Sequence, residues 1–191
     1  MTDQRTLFRG VSFAAWGYLF LYLNIHMGPI NVMPTFVGYL LFLGAIKRMQ
    51  GVTGDTGMLR SMGLLMVVYY AVLWVCACVG INLDGAIFAV VQLVVGLLAM
   101  YFNFQLLTNF AEVAKRYQGE GDQFDARFLR WRNLQTILLA VMMIADLPIL
   151  PFTGDAWAFL LLIIAGCGIF TCIALTVAMF SFRSVFAETE E

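Results

Sequence analysis

Residues 156–182, "AWAFLLLIIAGCGIFTCIALTVAMFSF", contain no charged side chain. Coiled as an α-helix, that run is roughly 40 Å long. A hydrocarbon core of ~30 Å needs about 20 helical residues to cross it. Two further uncharged runs, Ser61–Leu83 and Gly85–Ala111, are also long enough. Three apolar runs, Gly10–Met27, Ile30–Ile46 and Asn133–Phe152, bring the candidates to six. Composition agrees: 62% of residues are hydrophobic and 12% charged, with a mean hydropathy of +0.86. A soluble domain carries about twice that share of charge. Closed barrels also cross membranes, but their strands alternate in short segments, and nothing alternates here. The expectation is an all-α fold, an integral membrane six-helix bundle forming a single domain over residues 1–191. Its spans fall near 10–28, 30–48, 61–83, 85–110, 133–152 and 156–182, as three consecutive helical hairpins.

The charges orient this layout. Arg5 and Arg9 precede the first span, and Lys47, Arg48 and Arg60 lie between the second and third. Lys115, Arg116, Arg127, Arg130 and Arg132 lie between the fourth and fifth, and Arg183 follows the sixth. The other three connections hold no Lys or Arg. The positive-inside rule then places both termini in the cytoplasm, and a bacterial plasma membrane is the expected location. The segment after the first run, "HMGPIN", is no signal-peptidase site, so the first span is expected to stay.

All four prolines stand at the outer turns of the first and third hairpins: Pro29 and Pro34, then Pro148 and Pro151. From Pro34 to Ile46 the chain has only roughly 20 Å of helix, short of a full crossing. Three arrangements remain open. Pro34 and Pro148 kink continuing helices, irregular backbone lines a cavity at membrane depth, or the prolines simply open the next span.

Polar residues repeat on helical faces. Tyr18, Tyr22 and His26 follow i, i+4, i+8, while Gln92 and Asn103, and likewise Gln135 and Asp146, are three turns apart. Such faces point away from lipid, either as interhelical glue or as the lining of a pocket. The pocket reading puts His26, Asp146, Asn24 and Asn31 at an outward-facing mouth, with Gln92 and Tyr22 deeper. His26 could pair with Asp146 as a pH-sensitive contact. Cys76, Cys78, Cys167 and Cys172 lie within spans and read as packing residues. No metal site, cofactor or nucleic-acid partner is expected, and no Ser/His/Asp order, HExxH or phosphate loop suggests an enzyme.

On the inner side, "GEGD" interrupts the connection 108–133. After it, Arg127, Arg130, Trp131 and Arg132 alternate with apolar residues. With Lys115 and Arg116 they suit a short helix on an anionic inner leaflet, or a solvated loop with ordinary anchors.

In "LNIHMGPINVMPTFVGYLLFLGAIKRM", residues 23–49, the chain resembles a family of small bacterial membrane proteins frequent in Gram-positive genomes. Their first hairpin carries an N-I…I-x-x-x-P-D-F-I-G-Y signature, matched here by Asn24, Ile25, Ile30, Pro34, Phe36, Gly38 and Tyr39. Thr35 stands where that family has aspartate. The resemblance implies the six-span topology and no particular activity. Gly38 has a physical reading of its own, a close helix approach one turn after Pro34.

The function expected is that of a non-catalytic membrane protein whose outer pocket binds or transports a small molecule or lipid. Two alternatives stay open. One is a structural or regulatory membrane subunit. The other is the substrate-binding subunit of a vitamin transporter, although Ala14 and Ala15 are adjacent and do not form an Ala-x-x-x-Ala docking motif. Besides the lipid bilayer, a homodimer or a partner membrane subunit is the expected company of so small a set of helices.

Overall fold

The computed structural model describes residues 4–22, 26–27, 30–31, 33–54, 56–81, 83, 85–145 and 155–186. Six helices make up most of it: α1 (Gln4–Tyr22), α2 (Thr35–Met49), α3 (Gly57–Val79), α4 (Ala86–Tyr117), α5 (Phe124–Ala145) and α6 (Asp155–Ser184). Between α1 and α2, β1 (His26–Met27) pairs antiparallel with β2 (Ile30–Asn31), setting His26 opposite Asn31.

Among the described residues, length and apolarity alone qualify three helices to cross a membrane, not the six expected. They are α3, α4 and residues Phe159–Ser184 of α6, with mean hydropathies of 2.3, 2.1 and 2.6. The others fall short for identifiable reasons. Helix α2 has 15 residues, or roughly 22 Å of rise. Helix α5 carries Asp125, Arg127, Arg130 and Arg132 in its first turns, and α1 opens with Arg5 and Arg9. Membrane location therefore rests on α3, α4 and α6.

Successive helices pack on one another, and α6 returns to α1; only α3 and α4 touch slightly. The pairs are antiparallel. Along α2 and α3, Phe36 meets Trp74, Tyr39 meets Tyr70, and Leu43 lies beside Gly63. Along α5 and α6, Phe124 meets Phe182 and Trp131 meets Phe170. The basic residues of the helices consequently gather at one end, and the β1–β2 pair and Gly80 at the other. At the latter end Gly80 closes α3 with φ of 75°, its N–H bonded to the Ala77 carbonyl. That left-handed conformation suits a residue without a Cβ.

Helix α1 is covered along one face. Leu7, Val11, Ala14, Ala15 and Tyr18 are all fully buried, on one face at near-helical spacing. Its crossing with α2 is set by two glycines. A Cβ on Gly38 would stand 2.9 Å from the Gly17 carbonyl oxygen, and one on Gly17 would stand 2.7 Å from the Phe42 ring. The apolar helices form the outside: Val68, Val72 and Val75 of α3, Ile87 and Val90 of α4, and Phe170 and Ile173 of α6 are all exposed. A surface that apolar suits lipid rather than water.

The element boundaries bear on two readings that the sequence leaves open. Pro34 does not kink a continuing helix. It sits at the N-cap of α2 with an extended ψ of 131° and its carbonyl accepts from Val37 N–H, the position where its missing N–H does least harm. Nor is there a separate surface helix between the fourth and fifth spans. Helix α4 runs on to Tyr117, and α5 is continuous from Phe124, because fully buried Phe128 packs between Phe110 and Phe182.

Candidate functional site

Helix α1 ends in the Tyr18–Tyr22 pair, one turn apart with rings stacked at 6.4 Å. Both hydroxyls point at amides on other helices. Tyr18 Oη donates to Asn103 Oδ1 on α4. Asn103 Nδ2 donates to Gln135 Oε1 on α5 at 2.9 Å. Gln135 Nε2 in turn donates to Tyr22 Oη. The chain leaves α1, passes through α4 and α5, and returns to α1. Tyr18, Asn103 and Gln135 are buried, and each amide uses both its carbonyl and its NH₂, which is what burial of an amide requires.

Two members of this chain, Tyr22 and Asn103, line a cavity of about 320 Å³, at the small end of ligand-site volumes. Helix α4 supplies Gly96, Ala99, Met100 and Asn103, a single face at i, i+3, i+4, i+7. The facing wall is Leu139 and Met143 of α5. Tyr22 of α1, Thr35, Tyr39 and Phe42 of α2, and Tyr70 of α3 complete it. Tyr39 and Tyr70 stack at 5.4 Å with their rings nearly parallel. Among the described residues no charged side chain lines the cavity. Its polar atoms are phenols, one threonine hydroxyl and an amide, groups that bind by hydrogen bonding but carry no strong acid or base at neutral pH.

Of the residues singled out in the sequence, Tyr22 lines the cavity. Gln92 does not; it is exposed on α4, one turn beyond Gly96 on the same face, and so stands toward the rim rather than deeper. His26 and Asn31 are opposite one another in the β1–β2 pair. Asn24, Asp146, Pro29, Pro148 and Pro151 lie outside the described residues. Lys115, Arg116, Arg127 and Arg130 are exposed at the basic end. Arg132 is engaged there: it donates to Thr108 Oγ1 at 3.1 Å and covers the Phe104 ring at 4.1 Å. Half-buried Trp131 meets Phe170 edge-on. Tyr39, Tyr70 and Thr35 were not foreseen as site residues. The available signal was a phenol deep inside an apolar run, where an interfacial anchor would not be placed.

Among the described residues no group of three His, Cys, Asp or Glu side chains could hold a metal ion. Cys172 is buried with its Sγ 4.0 Å from the Tyr18 carbonyl oxygen, and all four cysteines are free. Comparison with protein-family models, with curated proteins and with solved structures finds no match to the chain.

Proposed function

We propose that the chain is a non-catalytic protein of a bacterial plasma membrane, crossing it six times with both termini in the cytoplasm. Its cavity faces outward and takes a small uncharged molecule or part of a lipid. The observation that carries this reading is the lining of the cavity: among the described residues it is mostly apolar and aromatic, and its hydrogen-bonding groups are all neutral. A charged ligand would lose its hydration there and find no counter-charge among the described lining residues. The gathering of basic residues at the opposite end supports the orientation. The short α2 is helped across by Arg48, whose stem lies along the helix while its guanidinium covers Phe13 at 4.3 Å. His26, Asn31 and Asp146 are proposed for the mouth on their sequence positions, and the likeness of residues 23–49 to the small-membrane-protein family belongs to the same proposal.

A second reading is favoured by the buried chain itself. Tyr18, Asn103, Gln135 and Tyr22 satisfy one another, as purely structural glue would; the protein would then be a structural or regulatory subunit. The transporter-subunit reading is weakened because Ala14 and Ala15 are fully buried within the chain's own packing.

Native mass spectrometry of protein released from nanodiscs tests the proposal. Wild type is compared with Ala99→Phe, which fills the cavity, and with the His26→Ala, Asp146→Asn double variant. A discrete adduct on wild type that is lost from Ala99→Phe is the expected result. A wild type that flies as the bare chain, with the same thermal stability as the filled variant, would favour the structural reading instead.

A further inference from the structure

The turn joining α2 to α3 brings two cations to one groove. Lys47 is in the last turn of α2 and Arg60 in the first turn of α3. The groove between them, about 370 Å³, is lined also by Leu43, Gly44, Ser61 and Leu64. Neighbouring Arg48 is committed elsewhere, donating to the Gly44 carbonyl at 2.8 Å and covering Phe13. Lys47 and Arg60 are exposed, and neither has an acidic partner among the described residues.

The groove is basic at one end only. On α2, Leu40, Leu43 and Lys47 share a face, and on α3, Arg60, Leu64 and Val68 repeat every turn. Leu40 is 48% exposed, and Leu64 and Val68 are each 57% exposed. Two apolar ridges therefore lead from the cations toward the middle of the helices. A soluble anion would use the cations and leave these ridges uncovered. A lipid uses both.

We propose that this groove binds an anionic phospholipid of the leaflet at the basic end. Its phosphate sits between the Lys47 ammonium and the Arg60 guanidinium, and an acyl chain runs between the Leu40–Leu43 and Leu64–Val68 ridges. The proposal rests on the membrane-spanning reading and is independent of the cavity at the other end.

The test uses the full chain in nanodiscs of equal phosphatidylglycerol and phosphatidylcholine, with retained lipid read by native mass spectrometry. Wild type should retain phosphatidylglycerol preferentially. At ~1 kcal/mol for each cation near the surface, the Lys47→Gln, Arg60→Gln variant should lose that preference by roughly 30-fold. The exchanged variant Lys47→Arg, Arg60→Lys should keep most of it. A Lys115→Gln, Arg116→Gln variant removes the same charge elsewhere and should also keep it. Equal loss in that control means a diffuse surface potential and overturns the site. Displacement of the lipid by millimolar inorganic phosphate also overturns it, in favour of a free-anion site. Failure of wild type to enter nanodiscs at all sinks the membrane reading, and cavity adducts are scored separately by their own mass.

Discussion

Asn103 on α4 and Gln135 on α5 share a buried hydrogen bond of 2.9 Å, and each is tied onward to a different tyrosine of α1. Three helices thus meet at one level through two side-chain amides. In a low-dielectric interior such a chain is worth most when complete, because any break leaves donors or acceptors unpaired.

Asn103→Leu is therefore expected to destabilise the protein by about 1–2 kcal/mol, the upper range for polar contacts between membrane helices. The Asn103→Leu, Gln135→Leu double variant should lose less than the two single losses added together. Removing both amides orphans fewer groups than removing one. Denaturant unfolding in detergent micelles measures all three; strict additivity would show that the two amides do not act as a unit.

The glycines of the α1–α2 crossing give a sharper contrast. Gly38→Ala sets a Cβ 2.9 Å from the Gly17 carbonyl oxygen, a backbone atom that cannot turn aside. The helices must part, at a cost of about 1–3 kcal/mol. Gly44→Ala meets nothing closer than 3.4 Å, the end of the Arg48 side chain, and should be close to neutral. Melting temperatures of the two variants decide; equal values would mean the crossing is looser than the structure has it.

At the basic end, Phe182 is fully buried with the rings of Phe124, Phe128 and Phe186 at 5.4, 5.5 and 5.2 Å. Phe182→Ala should cost about 3–5 kcal/mol, as large aromatic deletions in packed cores do. Phe170 on the same helix is 66% exposed, and its replacement by Leu should change stability by well under that. Parallel unfolding curves for the two would contradict the packing.

The loop at 118–123 is clamped by reciprocal bonds: Gln118 Nε2 donates to Asp125 Oδ1 at 3.0 Å, and Asp125 N–H donates to Gln118 Oε1 at 3.2 Å. The Gln118 amide, followed by the Ala126 N–H, holds the Asp125 carboxyl below its ordinary 3.8. A depressed carboxylate stabilises the folded state above its unfolded value, and that contribution is lost as pH falls through the lower folded one. Proteolytic nicking of 118–123 should accordingly be slow at neutral pH and faster in Asp125→Asn. The difference is small because the group is open to solvent. Once the pH is below the folded-state value of Asp125, the two proteins should exchange amide hydrogens in this loop at the same rate. A gap that persists there would assign the effect to something other than the charge.

Local sequence was enough for the helices and their order. An uncharged run of the length of 156–182 has no other way to satisfy its backbone in lipid, and the clustering of Lys and Arg in alternate connections follows from the same layout. It was enough, too, for the faces: the spacing of Tyr18 and Tyr22, and of Gln92 and Asn103, is a property of one helix at a time. Which faces meet is a property of two. Only the packing decided that Asn103 opposes Gln135 under both tyrosines, while Gln92, on the same stripe, is left toward the rim. Only packing covered one face of α1, a helix with arginines in its first turns, because Gly17 and Gly38 let it approach α2 closely. The basic segment 124–132 shows the same limit. Its composition suits a membrane surface, yet Phe128 finds a core between Phe110 and Phe182, and burial of that ring draws the segment into α5. Periodicity carries the angle of each side chain about its own axis, whereas depth, crossing and partner depend on volumes supplied by residues far away in the chain.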